Sequence, residues 1–411
     1  MIKRIPGTKD ILPDEATLWQ NIEKTARHIF SVYNYREIRP PLIEEAALFN
    51  RSLGASAEIV RKQMFLIKKE GDLYALRPEG TASIVRAYIE NGLDKTAGFL
   101  KLYYIGPMFR MERPQKGRLR QFHHLGVEVI GSNAPAVDVE AISLADHLLK
   151  AFSIDNYKIR LNSLGCAKDK ERLTEYLRRN LKKKTAKLCP ECLRRIKSNV
   201  LRVLDCKNEG CLKVSRSLDI HSHLCIECNR HFTCVKSGLD SLKINYEIDP
   251  YLVRGLDYYT GTVFEISQAN LGAQDAIAAG GRYDNLIKEM GGPDTGAIGF
   301  AFGIERLLLA SLPKPQAPNP KLVYLVSLGE EAKAESLKLL NRLRHQGVTC
   351  DTDYEGKSLK GSLRKANDAG ARYTVIIGEN ELKKGVVMLK DMVSGEQEEL
   401  KPEDLTKELI C

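Results

Sequence analysis

Residues 106–122 read Gly-Pro-Met-Phe-Arg-Met-Glu-Arg-Pro-Gln-Lys-Gly-Arg-Leu-Arg-Gln-Phe, with the strand-like runs Leu102–Ile105 before them and Val127–Ile130 after. Two strands joined by a polar loop predict an antiparallel pair rather than a parallel one. Five cations (Arg110, Arg113, Lys116, Arg118 and Arg120) fall within eleven residues of that loop. Guanidinium groups pair bidentately with phosphate oxygens, so the loop suits a phosphorylated ligand. Phe122, at the start of the returning strand, suits stacking on a base. The competing account is a basic surface hairpin with no ligand.

Working outward, residues 14–34 carry apolar positions at helical spacing: Leu18, Ile22, Ala26, Ile29 and Phe30. Strand signals follow at Leu73–Leu76, Tyr157–Leu161 and Thr262–Ile266, and Thr81–Glu90 reads as a helix. The elements do not alternate strictly, which predicts an antiparallel α+β core rather than a doubly wound parallel sheet. Residues 165–240 interrupt that core as a helical insertion, and strand signals are expected to resume at Lys243–Glu247. Residues 312–320 hold four prolines in nine positions, a stiff extended linker. Beyond it, strands at Leu322–Leu325, Thr349–Asp351 and Thr374–Ile377 alternate with helices near Ala332–His345 and Leu359–Ala369, a small α/β domain. The expected division is therefore a domain at 1–320 and a second at 321–411.

The chain has 411 residues, 43% of them apolar and 28% charged, with a net charge of +10. That balance excludes a wholly disordered chain and a collagen. No apolar run approaches the ~18 residues a membrane helix needs. The first residues, Met-Ile-Lys-Arg-Ile-Pro-Gly, show no export signal, so a cytoplasmic protein without membrane contact is expected. The charge is uneven: residues 165–240 hold 18 Lys/Arg against 9 Asp/Glu, while residues 321–411 hold 15 against 16. A local excess of this kind points to a polyanion or to a solvated helical surface.

Three further stretches could carry chemistry. Leu252–Glu265 places Arg254 beside Tyr258 and Tyr259, a composition that suits a small polar ligand or a hairpin with core tyrosines. Ala297–Ala310 sets Gly299 and Gly303 for close backbone approach, then Glu305 and Arg306 at the start of an apolar helix. A cation there needs an anion, either a ligand phosphate or an internal carboxylate. Gly280-Gly-Arg-Tyr-Asp284 reads as a glycine turn. No Walker loop and no nucleophile elbow occurs, so any nucleotide is held another way.

Seven of the ten cysteines lie between Cys189 and Cys234. Two C-x-x-C pairs, Cys189/Cys192 and Cys225/Cys228, are separated by 32 residues that include Cys206 and Cys211. Two such pairs suggest one structural Zn²⁺ with four thiolates, against buried thiols as the plain alternative; which thiols would bind stays open.

Taken together, these segments resemble the histidyl-tRNA synthetase family of class II aminoacyl-tRNA synthetases, over nearly the whole chain. Arg39-Pro-Pro-Leu-Ile-Glu44 is similar to motif 1, with Pro41 as its proline. Phe109–Glu128 is similar to motif 2 and Gly299–Leu309 to motif 3. Leu252–Glu265 and Arg77-Pro-Glu-Gly-Thr81 are similar to the histidine-specific segments, and residues 357–382 to the anticodon-binding domain. The resemblance implies a class II antiparallel sheet core with a helical insertion and a C-terminal α/β anticodon-binding domain. It also implies activation of L-histidine by ATP with Mg²⁺, then transfer to tRNA(His) by a homodimer joined at motif 1.

By motif position, Glu79, Gly80, Thr81, His124, Glu128, Tyr258 and Tyr259 would bind histidine, with Arg110 and Arg254 beside its carboxylate. Arg110, Arg254 and Arg306 would be the catalytic cations on the triphosphate. Glu112 and Phe122 would hold adenine, while Gln115, Arg118 and Arg120 would meet the tRNA acceptor end. His124 stands where the family usually has glutamine. The rival readings are a synthetase-like regulatory subunit of ATP phosphoribosyltransferase and a synthetase for another amino acid, such as prolyl or threonyl. The segment Arg254–Tyr259 speaks against the second.

Overall fold

The computed structural model describes residues 2–410, except 55–56, 116, 221–222, 269–270, 272–274, 312–320 and 357. The proline-rich stretch 312–320 and the loop cation Lys116 therefore lie outside the described residues. The chain divides into two compact units, residues 1–312 and 313–411.

The first unit is built on an eight-stranded sheet. In spatial order its strands are Arg36–Glu37, Leu100–Phe109, Gln121–Ile130, Ala297–Gly303, Ala276–Arg282, Thr260–Gln268, Tyr157–Ser163 and Glu247–Ile248. The six long strands pair antiparallel throughout, and only the two-residue strands at the edges pair parallel. The expected antiparallel α+β core is thus present.

Side chains alternate between the faces of a strand, and Gln121–Ile130 shows what that does here. Leu125, Val127 and Val129 enter the core that includes Trp19, Phe30, Leu144 and Leu148, from helices Pro13–Val32 and Pro135–Ala151. The helix Ile304–Ala310 joins the same face through Ile304, Leu307 and Ala310. Phe122, His124, Gly126 and Glu128 point the other way. That second face carries a core running from Tyr104 and Tyr258 into the insertion at Leu188, Val203 and Val214.

The insertion is helical: Ala167–Lys182, Pro190–Lys197, Glu209–Arg216 and Ile226–Ser241. Its last helix runs to Ser241, and Lys243 takes a positive φ of 56°. The strand expected at Lys243–Glu247 is therefore reduced to Glu247–Ile248. The second unit has a five-stranded sheet with Cys350–Thr352, Val323–Ser327 and Tyr373–Ile377 parallel, then Val387–Asp391 and Gln397–Leu400 antiparallel. Helices Glu330–His345 and Leu359–Asp368 alternate with its first strands, as the sequence pattern predicts.

One expectation is corrected. Gly280 and Gly281 are not a turn; they lie inside the central strand Ala276–Arg282. A Cβ on Gly280 would stand 2.4 Å from the Gly299 carbonyl oxygen, and one on Gly281 would stand 2.7 Å from that of Thr262. The glycines let neighbouring strands close up beside a bulky face. Gly280→Ala should therefore cost at least ~2 kcal/mol, as overpacking against backbone does. Urea unfolding measures it, and a loss under ~0.5 kcal/mol would contradict this strand register.

Candidate active site

The site lies on the sheet face opposite helices Pro13–Val32 and Pro135–Ala151. One row of paired residues crosses six strands: Tyr104, Gly126, Ala301, Ala279, Glu265 and Arg160. Gly126, Ala301 and Ala279 in that row are small, so the sheet surface sinks there into a cavity of about 110 Å³. Its walls include Glu79, Thr81, Tyr104, Arg110, His124, Arg254, Tyr258, Tyr259 and Tyr283. The structure thus gathers eight of the residues singled out in the sequence, Gly299 among them, around one hollow. Gly80 and Glu128 stand directly behind them.

Both carboxylates are buried. Glu79 accepts the N–H groups of Thr81 at 2.7 Å and Ala82 at 2.9 Å, where helix Thr81–Glu90 begins. Burial raises its pKa, against the pull of those N–H donors. Glu128 accepts the hydroxyl of Thr81 at 2.7 Å and that of Tyr283 at 2.6 Å. Burial pushes Glu128 up to about 8, and the charge of Glu79 adds to the rise. Glu128 fits only because its neighbour on the next strand is glycine: a Cβ on Gly299 would lie 1.8 Å from Glu128 Oε2. Gly303, the other glycine of that segment, meets only ordinary contacts with Arg306. Gly80 and Gly126 clear the ring of Tyr104, which a Cβ at either would strike at 2.4–2.5 Å.

The aromatic wall is closely packed. Tyr258 and Tyr259 lie 4.7 Å apart by ring centroid, and Tyr258 meets Tyr283 edge-on at 5.8 Å. Burial pushes Tyr259 up to about 12. Their backbone is held from below by the buried ammonium of Lys170, which donates to the Tyr259 carbonyl at 3.1 Å and to that of Asp257. His124 Nδ1 is enclosed and has no hydrogen-bond partner. Burial, then the cations Arg110, Arg77 and Arg306, pushes the His124 pKa well down, so its imidazole is neutral.

Cations ring the opening. Arg110 donates to the Pro78 carbonyl at 2.9 Å and sits 5.2 Å from the Phe122 ring centre. Arg254 pairs with Glu265, which also takes Arg160, while Arg254 Nε is buried without a partner. Arg306 donates to the carbonyls of Gly117, at 3.0 Å, and Ala276. Among the described residues Arg306 forms no ion pair, and its neighbour Glu305 instead takes His123 at 3.0 Å. After burial, the repulsion of Arg118 is the largest cause lowering the Arg306 pKa, and Arg110 adds to it. Arg306 does not line the cavity, but its charge is among those that act on His124, which does.

On the neighbouring loop, Glu112 pairs with Arg118 at 2.9 Å and Gln115 is exposed. Arg120 donates to the carbonyls of Pro6 at 3.1 Å and Glu112 at 3.3 Å, which ties it to the first residues of the chain.

Sequence reasoning missed Tyr104, Tyr283 and Lys170, since each acts across strands far apart in the chain. It named Arg77 without its task. The buried Arg77 guanidinium donates to the carbonyls of Pro40 at 2.8 Å and Pro107 at 3.0 Å, fastening residues 39–41 to the strand that leads to Arg110. The two C-x-x-C pairs also do not meet in one site. Cys189 and Cys192 gather with Cys206 and Cys211, whereas Cys225 and Cys228 gather with Cys166 and Asp169. Spacing along the chain cannot say which thiols fold together, and the helices between the pairs carry them apart.

The sequence matches the histidyl-tRNA synthetase family over residues 7–307 and the anticodon-binding domain family over residues 322–411. It is 46% identical to the histidine–tRNA ligase of Halothermothrix orenii, covering 99% of each chain. It is also 46% identical to that of Thermosipho melanesiensis, covering 97% of this chain and 96% of the relative. Among solved structures, apo histidyl-tRNA synthetase of S. aureus superposes with a TM-score of 0.83 at 34% identity over all of both chains. An ATP phosphoribosyltransferase regulatory subunit/histidyl-tRNA synthetase from Bacillus halodurans shares the fold, at a TM-score of 0.66 and 23% identity, over 92% of this chain and 98% of that one.

Glu128 keeps its proton to about pH 8 in the fold and releases it near 4.5 when unfolded. The folded state thus binds more protons between those values, and this group's contribution to stability falls as pH rises through that window. Glu128→Gln removes that dependence while keeping a hydrogen-bonding amide. Its stability relative to the wild type should therefore grow from pH 5.5 to pH 8.5. Urea unfolding at both pH values measures the difference, and a constant offset would mean that Glu128 is ionised throughout.

Proposed function

This chain belongs to the histidyl-tRNA synthetase family, and from that premise we propose that it activates L-histidine with ATP and transfers the histidyl group to tRNA(His). The observation that carries this reading is the cavity itself: two buried carboxylates and an unpartnered imidazole nitrogen, walled by tyrosines and rimmed by arginines. A cationic ammonium offsets the cost of charging Glu79 and Glu128 side by side. Tyrosine faces hold an imidazole ring, and hydroxyls bond its nitrogens. A polar pocket rejects ligands that leave its buried groups unpaired, which is how histidine would be told from similar amino acids.

Glu79, Gly80, Thr81, His124, Glu128, Tyr258 and Tyr259 bind the amino acid in this reading. Arg110 and Arg254 hold its carboxylate and the α-phosphate, and Arg306 holds the far end of the triphosphate. The adenine lies on the free side of Phe122, near Glu112. ATP brings Mg²⁺ with it as the bound substrate complex. As the histidine carboxylate attacks the α-phosphorus, pyrophosphate leaves and negative charge grows on the phosphoryl oxygens. Fixed guanidinium groups stabilise that charge without reorganising. Gln115 and Arg118 approach the tRNA acceptor end, and Arg120 holds their loop to the Pro6 segment. The unit from 313 onward reads the anticodon.

A homodimer through residues 39–44 and the adjoining three-stranded antiparallel sheet of Ile43–Glu45, Asp72–Leu76 and Phe65–Lys69 is part of the proposal. Leu42, Ile43, Leu66, Ile67 and Leu73 are exposed there, an apolar surface of the sort that subunit contacts cover. Among the described residues no helix is long and apolar enough to cross a membrane. The substrates, tRNA and ATP, place the work in the cytoplasm. A regulatory subunit without catalysis is the second reading. It is disfavoured by an intact ring of Arg110, Arg254 and Arg306 and by the presence of the second unit.

Histidine-dependent ATP–pyrophosphate exchange tests the proposal; no exchange with any amino acid would leave the regulatory reading in its place. Arg254→Ala should fold normally and lower exchange by ~100-fold or more. Near-normal exchange in that variant would put the arginine outside the reacting centre. Light scattering should give twice the chain mass, and Leu66→Glu with Leu73→Glu should bring it to one.

A further inference from the structure

We propose that Cys189, Cys192, Cys206 and Cys211 hold one structural zinc ion as four thiolates, and that the ion steadies the insertion's grip on residues 253–257. The Sγ atoms of these four residues all lie within 4.8 Å of one another, and Cys189 and Cys206 are 3.9 Å apart. Zinc–sulfur bonds of ~2.3 Å in a tetrahedron set sulfurs ~3.8 Å apart, so the gathering has the right size. A disulfide would need ~2.05 Å and would use the sulfurs two at a time. Along the chain the pattern is C-x2-C, 13 residues, C-x4-C. Each half is a short knuckle of the kind zinc sites use.

Backbone donors aim at the sulfurs. The Cys189 N–H points to Cys211 Sγ at 3.2 Å, the Cys192 N–H to Cys189 Sγ at 3.5 Å, and the Asn208 N–H to Cys206 Sγ at 3.5 Å. Such N–H groups stabilise charged sulfur and orient it toward a metal. Three of the four thiols are buried in an aliphatic cluster. Apolar packing alone gives no reason to bring all four sulfurs together.

The other gathering also has N–H groups aimed at sulfur, Cys166 to Cys228 Sγ at 3.2 Å and Cys228 to Cys225 Sγ at 3.5 Å, but its fourth group is a carboxylate rather than a thiol. The Asp169 carboxylate is already committed to the N–H groups of Cys166 and Cys225, at 3.2–3.3 Å, and to Arg172. It caps the starts of helices Ala167–Lys182 and Ile226–Ser241, and Cys166 is exposed. No metal is assigned there.

The chain between the two knuckles reaches the candidate site. Asn199 donates to the Asp257 carboxylate, and Arg202 donates to the Gly255 carbonyl at 3.5 Å. Arg195, inside the same span, donates to the Arg202 carbonyl at 2.8 Å. The contacts at Gly255 and Asp257 fall one and three residues after Arg254. Loss of the ion would free the span and loosen the loop that presents that arginine. This last consequence rests on the proposed role of Arg254; the metal assignment does not.

Elemental analysis of the full chain, grown with zinc and purified under reductant, tests the assignment. We expect one zinc per chain at this site, lost in Cys206→Ser/Cys211→Ser and kept in Cys225→Ser/Cys228→Ser. On the wild type alone, titration with an organomercurial in the presence of a chromogenic chelator should release that equivalent, which serves if the variant fails to fold. Zinc below ~0.2 per chain, iron in its place, or zinc unchanged in Cys206→Ser/Cys211→Ser overturns the assignment. For the coupling, KM for histidine in the zinc-free variant should rise ~10-fold or more, with kcat changed less. An unchanged KM refutes the grip on residues 253–257 and leaves the exchange activity as a separate question.

Discussion

Two buried carboxyl groups, Glu79 lining the hollow and Glu128 behind it, set the terms for the rest of this fold. A buried carboxylate is tolerable only when it is hydrogen-bonded or neutralised. Glu79 is held by the first N–H groups of helix Thr81–Glu90, and Glu128 by two hydroxyls. Both devices depend on backbone approach that side chains would block. Gly299 makes room for Glu128; Gly80 and Gly126 make room for the ring of Tyr104 that seals the hollow. The sheet is wide and antiparallel, so residues more than a hundred positions apart in the chain can stand in one row. That row of small residues is what turns a flat sheet face into a cavity.

The insertion belongs to this arrangement rather than standing aside from it. Its apolar residues continue the same core that backs Tyr258 and Tyr259. Lys170, from its first helix, holds the carbonyls under those tyrosines, while Asn199 and Arg202 hold the preceding loop. Part of the excess of Lys and Arg in residues 165–240 is therefore tied inward as struts, while exposed Arg172 and Arg194 pair with carboxylates of their own helices.

How much of this could be read from the chain depended on how local the signal was. Helix Thr81–Glu90 and the strands around residues 100–130 follow from period and polarity, which neighbours in sequence decide. Gly280 and Gly281 misled, because glycine favours turns as strongly as it permits close strands, and only the facing Gly299 and Phe300 tell the two apart. Lys243 looked like a strand start but ends a helix with a left-handed residue. The catalytic and binding candidates were legible through motifs, whereas Tyr104, Tyr283 and Lys170 were not. Their tasks exist only after distant strands have paired. The thiols show the same limit: a C-x-x-C pair is visible in sequence, its partner pair is not.

The rim of the site is under electrostatic tension that the protein does not relieve itself. Burial first, with the charge of Arg118 adding to it, lowers the proton affinity of both Arg110 and Arg306, and Arg306 has only carbonyl acceptors among the described residues. Arg254 spends one nitrogen on Glu265 and leaves Nε enclosed without a partner. A cation held this way gains most when a multiply charged anion arrives, because the ligand supplies the acceptors the fold withholds. The same hollow gathers the opposite sign: Glu79 lines it beside Arg110 and Arg254, and Glu128, holding its proton to about pH 8, bonds the lining residues Thr81 and Tyr283. A molecule that carries an ammonium at one end and an acid joined to phosphate at the other is the kind that satisfies both signs at once. An aminoacyl adenylate is such a molecule.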